Sequence, residues 1–119
     1  MAVHAVIDSI LGALALGDIG QWFPDTDQAF KGADSMKLLE TVMKSPELAA
    51  WHVNNIDIVI IAQKPKILPF VNAMRKSLAE ALNCPVERVS IKGKTTEKMG
   101  FCGRGEGIAA TASVLMMSN

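Results

Sequence analysis

The chain has 119 residues, with twelve basic and twelve acidic side chains balancing to zero formal charge and hydrophobic residues at half of its positions. That length supports one core, and residues 1–119 are read as a single globular domain. Zero net charge gives no electrostatic case for nucleic acid or an anionic membrane as partner, and no apolar run approaches a membrane span. Cys84 and Cys102 fit neither a zinc nor a redox spacing and make no disulfide framework, so a reducing compartment is expected. The first residues show no basic stretch and no A-x-A cleavage site, hence no secretory signal.

Residues 2–16 read as a helix, with Val3, Val6, Ile7, Ile10, Leu11 and Leu14 at helical spacing and Gly17 as its C-terminal residue. His4 and Asp8, one turn apart, share a face of it. They read as a metal ligand with an orienting carboxylate, or as an ordinary hydrogen-bonded pair, which spacing alone favours. The acidic turn that follows carries Asp18, Asp25 and Asp27, suited to sugar hydroxyls or cations and equally to Asx-type turns. Asp34 or Ser35 caps a second helix through about residue 44, with Met36, Leu39, Val42 and Met43 on its inner face, and Ser45-Pro46 breaks it. Residues 47–53 are ambiguous, Trp51 and His52 reading as packing and surface residues.

Residues 55–62 form the clearest strand, a β-branched run expected at the centre of a sheet with both faces covered. It leads into Gln63, Lys64, Pro65, Lys66, Ile67 and Leu68, a loop that opens a helix and suits an anionic or nucleotide ligand. Lys64 and Lys66 read equally as solvated surface charge. The helix places Phe70, Val71, Met74, Leu78 and Leu82 on one stripe, and Asn83-Cys84-Pro85 ends it. Residues 88–94 are a second strand and residues 108–117 a third.

The second strand runs into Lys94-Thr95-Thr96-Glu97-Lys98-Met99-Gly100-Phe101 and then Cys102-Gly103-Arg104-Gly105-Glu106-Gly107. Threonine hydroxyls and free N–H groups donate to phosphate oxygens, a carboxylate holds the neutralising divalent cation, and glycine allows close approach. The glycine spacing itself is neither a Walker loop nor a dinucleotide fingerprint, and by spacing alone a plain turn is favoured.

The wording of this segment resembles the 2-C-methyl-D-erythritol 2,4-cyclodiphosphate synthases. So do residues 14–20 (LALGDIG), 23–27 (FPDTD), 31–35 (KGADS) and 60–69 (IIAQKPKILP). The resemblance implies an α+β fold of the ferredoxin-like or chorismate-mutase-like kind. It has a mixed sheet with helices on one face, assembled as a homotrimer with sites between subunits. The implied activity is that of a phosphorus-oxygen lyase of the non-mevalonate isoprenoid (MEP) pathway, in a bacterial cytoplasm or a plastid. It cyclises 4-diphosphocytidyl-2-C-methyl-D-erythritol 2-phosphate and releases CMP. The substrate's own 2-phosphate is the nucleophile, so the protein supplies positioning and charge neutralisation.

By the same resemblance, His4 is a ligand of Zn2+ or another divalent transition metal. Asp18, Ile19, Gly20, Phe23, Pro24, Asp25, Thr26 and Asp27 hold the erythritol and ribose portions. Ala62, Gln63, Lys64, Pro65, Lys66, Ile67 and Leu68 form the cytidine loop. Thr95 is the catalytic threonine beside the diphosphate, with Thr96 next to it. Glu97 holds Mg2+ or Mn2+. Phe101 and Arg104 lie near the trimer axis, where some members bind an isoprenoid diphosphate. Lys94 stands where many members carry a third threonine. The family's Asp-x-His strand, which supplies its other zinc ligands, and its His-Ser-Asp-Gly-Asp loop are not found in residues 1–119. The expectation is an N-terminally shortened member, with a sheet edge and part of the core uncovered and its activity impaired. The alternative is a catalytically inactive trimeric module that binds cytidine nucleotides.

Overall fold

The structure, a computed structural model, describes residues 2–24, 34–63, 66–95, 97–105 and 107–119, and for Phe101 the backbone alone. Helix α1 (Ala2–Ala13) leads through a short α2 (Ile19–Trp22) to α3 (Ser35–Met43), strand β1 (Trp51–Ile61) and α4 (Val71–Leu82). Strand β2 (Val89–Lys94), the one-turn α5 (Gly100–Gly103) and strand β3 (Ala109–Ser118) complete the chain. The sheet has the order β2-β1-β3, with β1 parallel to β2 and antiparallel to β3. This is the expected mixed α+β sheet, with β1 at its centre.

Helices cover one face of the sheet. Val6, Ile7, Ile10 and Leu11 of α1 are fully buried, as the helical spacing requires. Leu39 and Val42 of α3 and Leu78, Ala79 and Leu82 of α4 join them against Ile56, Ile58, Val89 and Ile91. Each such aliphatic side chain stabilises the fold by about 1.5–3 kcal/mol, so this layer outweighs any single polar contact. Contrary to the sequence expectation, the second face of β1 is not covered. Val59 and Ile61 are only half-buried there, beside the exposed Leu115 and Met117 of β3. On this open face Lys92 Nζ lies 3.0 Å from Asp57 Oδ2. The Lys92 ammonium holds the Asp57 carboxyl below its ordinary range, with help from Ser90 and against some desolvation.

β1 begins earlier than its apolar run because of a bulge. Val53 pairs with Met116 and Asn55 with Leu115, leaving Asn54 as the extra residue. The insertion shifts the phase of the alternation, which hides the first turn of the strand from a period-two reading. Arg88 Nη1 donates to the Asn54 carbonyl at 3.1 Å and to its side-chain oxygen at 3.0 Å, satisfying the bulge. Phe70 lies outside α4, in a single 3-10 turn, and is exposed rather than part of the helix stripe. Within the described sheet β2 and β3 are the edge strands, and the residues of α1 that face the sheet are fully buried rather than uncovered.

The end of α1 also differs from expectation. Leu16 N–H donates to Leu11 O at 2.8 Å and Ala15 N–H to Gly12 O at 3.1 Å, a Schellman closure in which Ala15 takes the left-handed position at φ 57°. Gly17, at φ 95°, serves the following turn instead. A left-handed alanine carries a Cβ penalty of about 1 kcal/mol that glycine lacks. Ala15→Gly should therefore raise the unfolding free energy by roughly 0.5–1 kcal/mol, read as a higher urea midpoint at unchanged slope. A lower midpoint would contradict the assignment of the helix end.

Candidate functional site

Parallel pairing places the C-terminal ends of β1 and β2 together. Ile61 faces Lys94, and Ala62 N–H extends the ladder by donating to Lys94 O at 3.0 Å. The loop after β1 and the threonine-containing loop after β2 therefore leave the sheet side by side. The crevice beyond such strand ends is where open α/β sheets take ligands. Antiparallel β3 starts opposite Ile61, so α5 and the glycine-rich segment reach the same end.

The loop after β1 is pinned at its base. Ala62 is buried, and Ile67 folds back over β2 onto Gly93. A Cβ at Gly93 would lie 3.1 Å from that of Ile67, so glycine there permits the close approach. An isolated glycine inside an apolar strand pattern was the available signal for this contact. Lys66 and Leu68 are exposed at the loop surface, while Lys64 and Pro65 fall outside the described residues.

On the β2 side, Thr95 Oγ1 accepts from Glu97 N–H at 3.3 Å. A hydroxyl that accepts retains its own hydrogen for donation to a phosphate oxygen. Glu97 is exposed and adopts φ 53°, and Lys98 follows at φ 68°. One exposed carboxylate suits Mg2+ or Mn2+, which bind through one or two carboxylates plus substrate phosphates. Thr96 and Glu106 lie outside the described residues, as does the Phe101 side chain. The Phe101 backbone belongs to α5, and Arg104 is the exposed residue that caps it.

The ordinary His4–Asp8 hydrogen bond does not form; each side chain bonds elsewhere. His4 Nε2 lies 3.0 Å from Ser35 Oγ, and Asp8 Oδ1 accepts from Ile19 N–H at 2.7 Å. Asp18 Oδ1 caps α2 by accepting from Gln21 N–H at 2.9 Å, the backbone role that such residues fill by default. Ile19 and Gly20 are backbone of that turn. Phe23 is buried and joins the hydrophobic core, and Pro24 follows it. Asp25, Thr26 and Asp27 lie outside the described residues.

A catalytic zinc site takes about three protein ligands. Among the described residues no three His, Cys, Asp or Glu side chains converge in a way that could hold a metal ion. His52, the second histidine, bonds Asn119 Oδ1 at 2.8 Å from the first turn of β1. His4 thus offers one ligand, and these residues do not compose a zinc centre. Cys84 is half-buried, and burial pushes its thiol up, away from nucleophilic character. A groove of about 680 Å3 between α3, α4 and the start of β1 is lined by Trp51, His52 and Asn119, at the other end of the sheet from both loops. No helix is long and apolar enough to cross a membrane among the described residues.

Residues 1–117 match the YgbB family profile. Over 114 residues the chain is 56% identical to the 2-C-methyl-D-erythritol 2,4-cyclodiphosphate synthase of Geobacter metallireducens, covering 96% of this chain and 73% of that protein. The bifunctional IspDF of Campylobacter jejuni superposes with a TM-score of 0.92 at 43% identity, over 98% of this chain and 32% of the longer one. IspF of Plasmodium falciparum, solved as a CDP complex, superposes with a TM-score of 0.84 at 34% identity, over 98% and 69% of the two chains. With the fold, the two adjoining loops and these matches in agreement, the chain belongs to the YgbB family, that of the 2-C-methyl-D-erythritol 2,4-cyclodiphosphate synthases.

Proposed function

We propose that this chain carries the nucleotide and phosphate half of a cyclodiphosphate synthase site. In that reading it acts on 4-diphosphocytidyl-2-C-methyl-D-erythritol 2-phosphate. An oxygen of the substrate's 2-phosphate bonds to the β-phosphorus, and the bond from that phosphorus to the bridging oxygen breaks. The electron pair leaves with CMP, and the ring closes as the cyclic 2,4-diphosphate. No protein nucleophile takes part. The observation that carries the reading is the placement of the loops that begin at Ala62 and Thr95 at one end of paired parallel strands.

Each loop has a distinct task. Backbone groups of residues 62–68 read the base, with Lys66 near the phosphates. The Thr95 hydroxyl donates to the diphosphate where charge develops during transfer. Glu97 would hold a divalent cation, which when bound neutralises the phosphate oxygens. A catalytically silent cytidine-nucleotide module is the second reading. It is favoured by one observation, the lone His4 among residues that do not compose a zinc centre. A bacterial cytoplasm suits the bacterial relatives.

A homotrimer also follows from this reading, with the uncovered sheet face turned toward neighbouring copies. Val59, Ile61, Leu115 and Met117 give that face an apolar character unusual for a solvent-facing sheet. Light scattering should give about three times the chain mass of 12.8 kDa. A monomer at micromolar concentration would rule that arrangement out.

The purified 119-residue chain is expected to bind CDP more tightly with Mn2+ than with EDTA, and Glu97→Gln should remove most of that gain, about 10-fold or more. CMP release from the substrate, followed by chromatography, separates the two readings: turnover supports the synthase, and binding without turnover supports the module. Absence of any CDP binding would sink both.

A further inference from the structure

Glu97 sits in an unusual piece of backbone. It and Lys98 are consecutive non-glycine residues in the left-handed region, at φ 53° and 68°. Such a residue is strained by its Cβ and persists only where its surroundings hold it. Three contacts from three different elements converge on the pair. Thr95 Oγ1, at the end of β2, accepts from Glu97 N–H. In α5, Gly103 packs so tightly that a Cβ there would lie 2.1 Å from the Lys98 carbonyl carbon. From the loop after β1, Gln63 Oε1 accepts from Lys98 N–H at 3.2 Å, the one side-chain bond that crosses from the nucleotide loop to this turn among the described residues.

We propose that Gln63 is a positioning residue for Glu97, rather than only a member of the base loop. Its side-chain oxygen holds the turn at Glu97 and Lys98 in the left-handed form that presents the Glu97 carboxylate to a phosphate-bound cation. This rests on the reading of Glu97 given above. Gln63 follows buried Ala62 on the base-reading loop, so the same residue is tied to both halves of the site. A group that merely shaped the base loop would change nucleoside affinity and leave the cation's contribution alone.

The test is a set of calorimetric titrations with cytidine and with CDP, each in EDTA and in Mn2+. The proteins are the unmodified chain, Gln63→Met, Gln63→Glu, Glu97→Gln and the Gln63→Met/Glu97→Gln double variant. Gln63→Met keeps the length and removes the acceptor. It should cut the Mn2+-dependent gain in CDP affinity by about 3- to 10-fold, the range for one lost hydrogen bond, while cytidine affinity changes less than about twofold. Gln63→Glu retains an acceptor oxygen and should keep most of the gain. In the Glu97→Gln background, Gln63→Met should have no further effect on the affinity in Mn2+. Equal losses for cytidine and CDP, in both backgrounds and with or without Mn2+, would assign Gln63 to the base loop alone and overturn the proposal. So would an unmodified Mn2+ gain in Gln63→Met. If the unmodified chain binds CDP with no Mn2+ gain, the assignment of Glu97 fails first and the role of Gln63 falls with it.

Discussion

The register between β1 and β2 is the constraint from which the site follows. Ile56, Ile58 and Ile60 face the helices opposite Val89, Ile91 and Gly93. Slipping the pairing by one residue would turn the apolar side chains of one strand to the open face, at about 1.5–3 kcal/mol for each. The hydrogen bonds between the two functional loops contribute about 1 kcal/mol each. Packing under the sheet therefore sets how the loops meet, and the polar contacts refine a placement already made. Ala62 and Thr95 emerge as neighbours because Ile61 and Lys94 are paired.

The two sides of that placement suit different parts of one ligand. The loop after β1 is anchored by buried Ala62 and by Ile67 against Gly93, and in the proposed reading its backbone groups meet a flat, neutral base. The loop after β2 offers a hydroxyl and an exposed carboxylate, the chemistry of phosphate and hard cation. A reaction whose nucleophile is already part of the substrate needs orientation and charge neutralisation, which in the proposed reading the two loops supply. The sheet's open face has a separate consequence. An apolar surface with one partly exposed ion pair is a poor solvent boundary, and in the proposed trimer it would face neighbouring copies.

Much of this was legible in the residues. Helical spacing located α1, α3 and α4, because each buries one stripe and nothing in their interiors competes with the period. By spacing alone the motif after β2 read as a plain turn; its wording and that of the run 60–69 carried the family resemblance, which the family match bears out. Four features were hidden for physical reasons. The start of β1 was obscured by Asn54, whose bulge breaks the alternation. The end of α1 was misplaced because Ala15 takes a left-handed position usually left to glycine. The fates of Asp8 and Asp18 were undecided by sequence, since a carboxylate near a helix start serves backbone N–H groups as readily as a ligand. The link from Gln63 to Lys98 spans 35 residues and leaves no trace in local pattern.

We propose that the loops after β1 and β2 together form one site for a cytidine diphosphate and its cation. Amide hydrogen exchange followed by mass spectrometry, with and without CDP and Mg2+, tests it most directly. The account predicts protection of residues 62–68 and 94–98 together, each weakened when CDP is replaced by cytidine or Mg2+ is withheld. Protection confined to one loop, or to the groove around Trp51, His52 and Asn119, would contradict it.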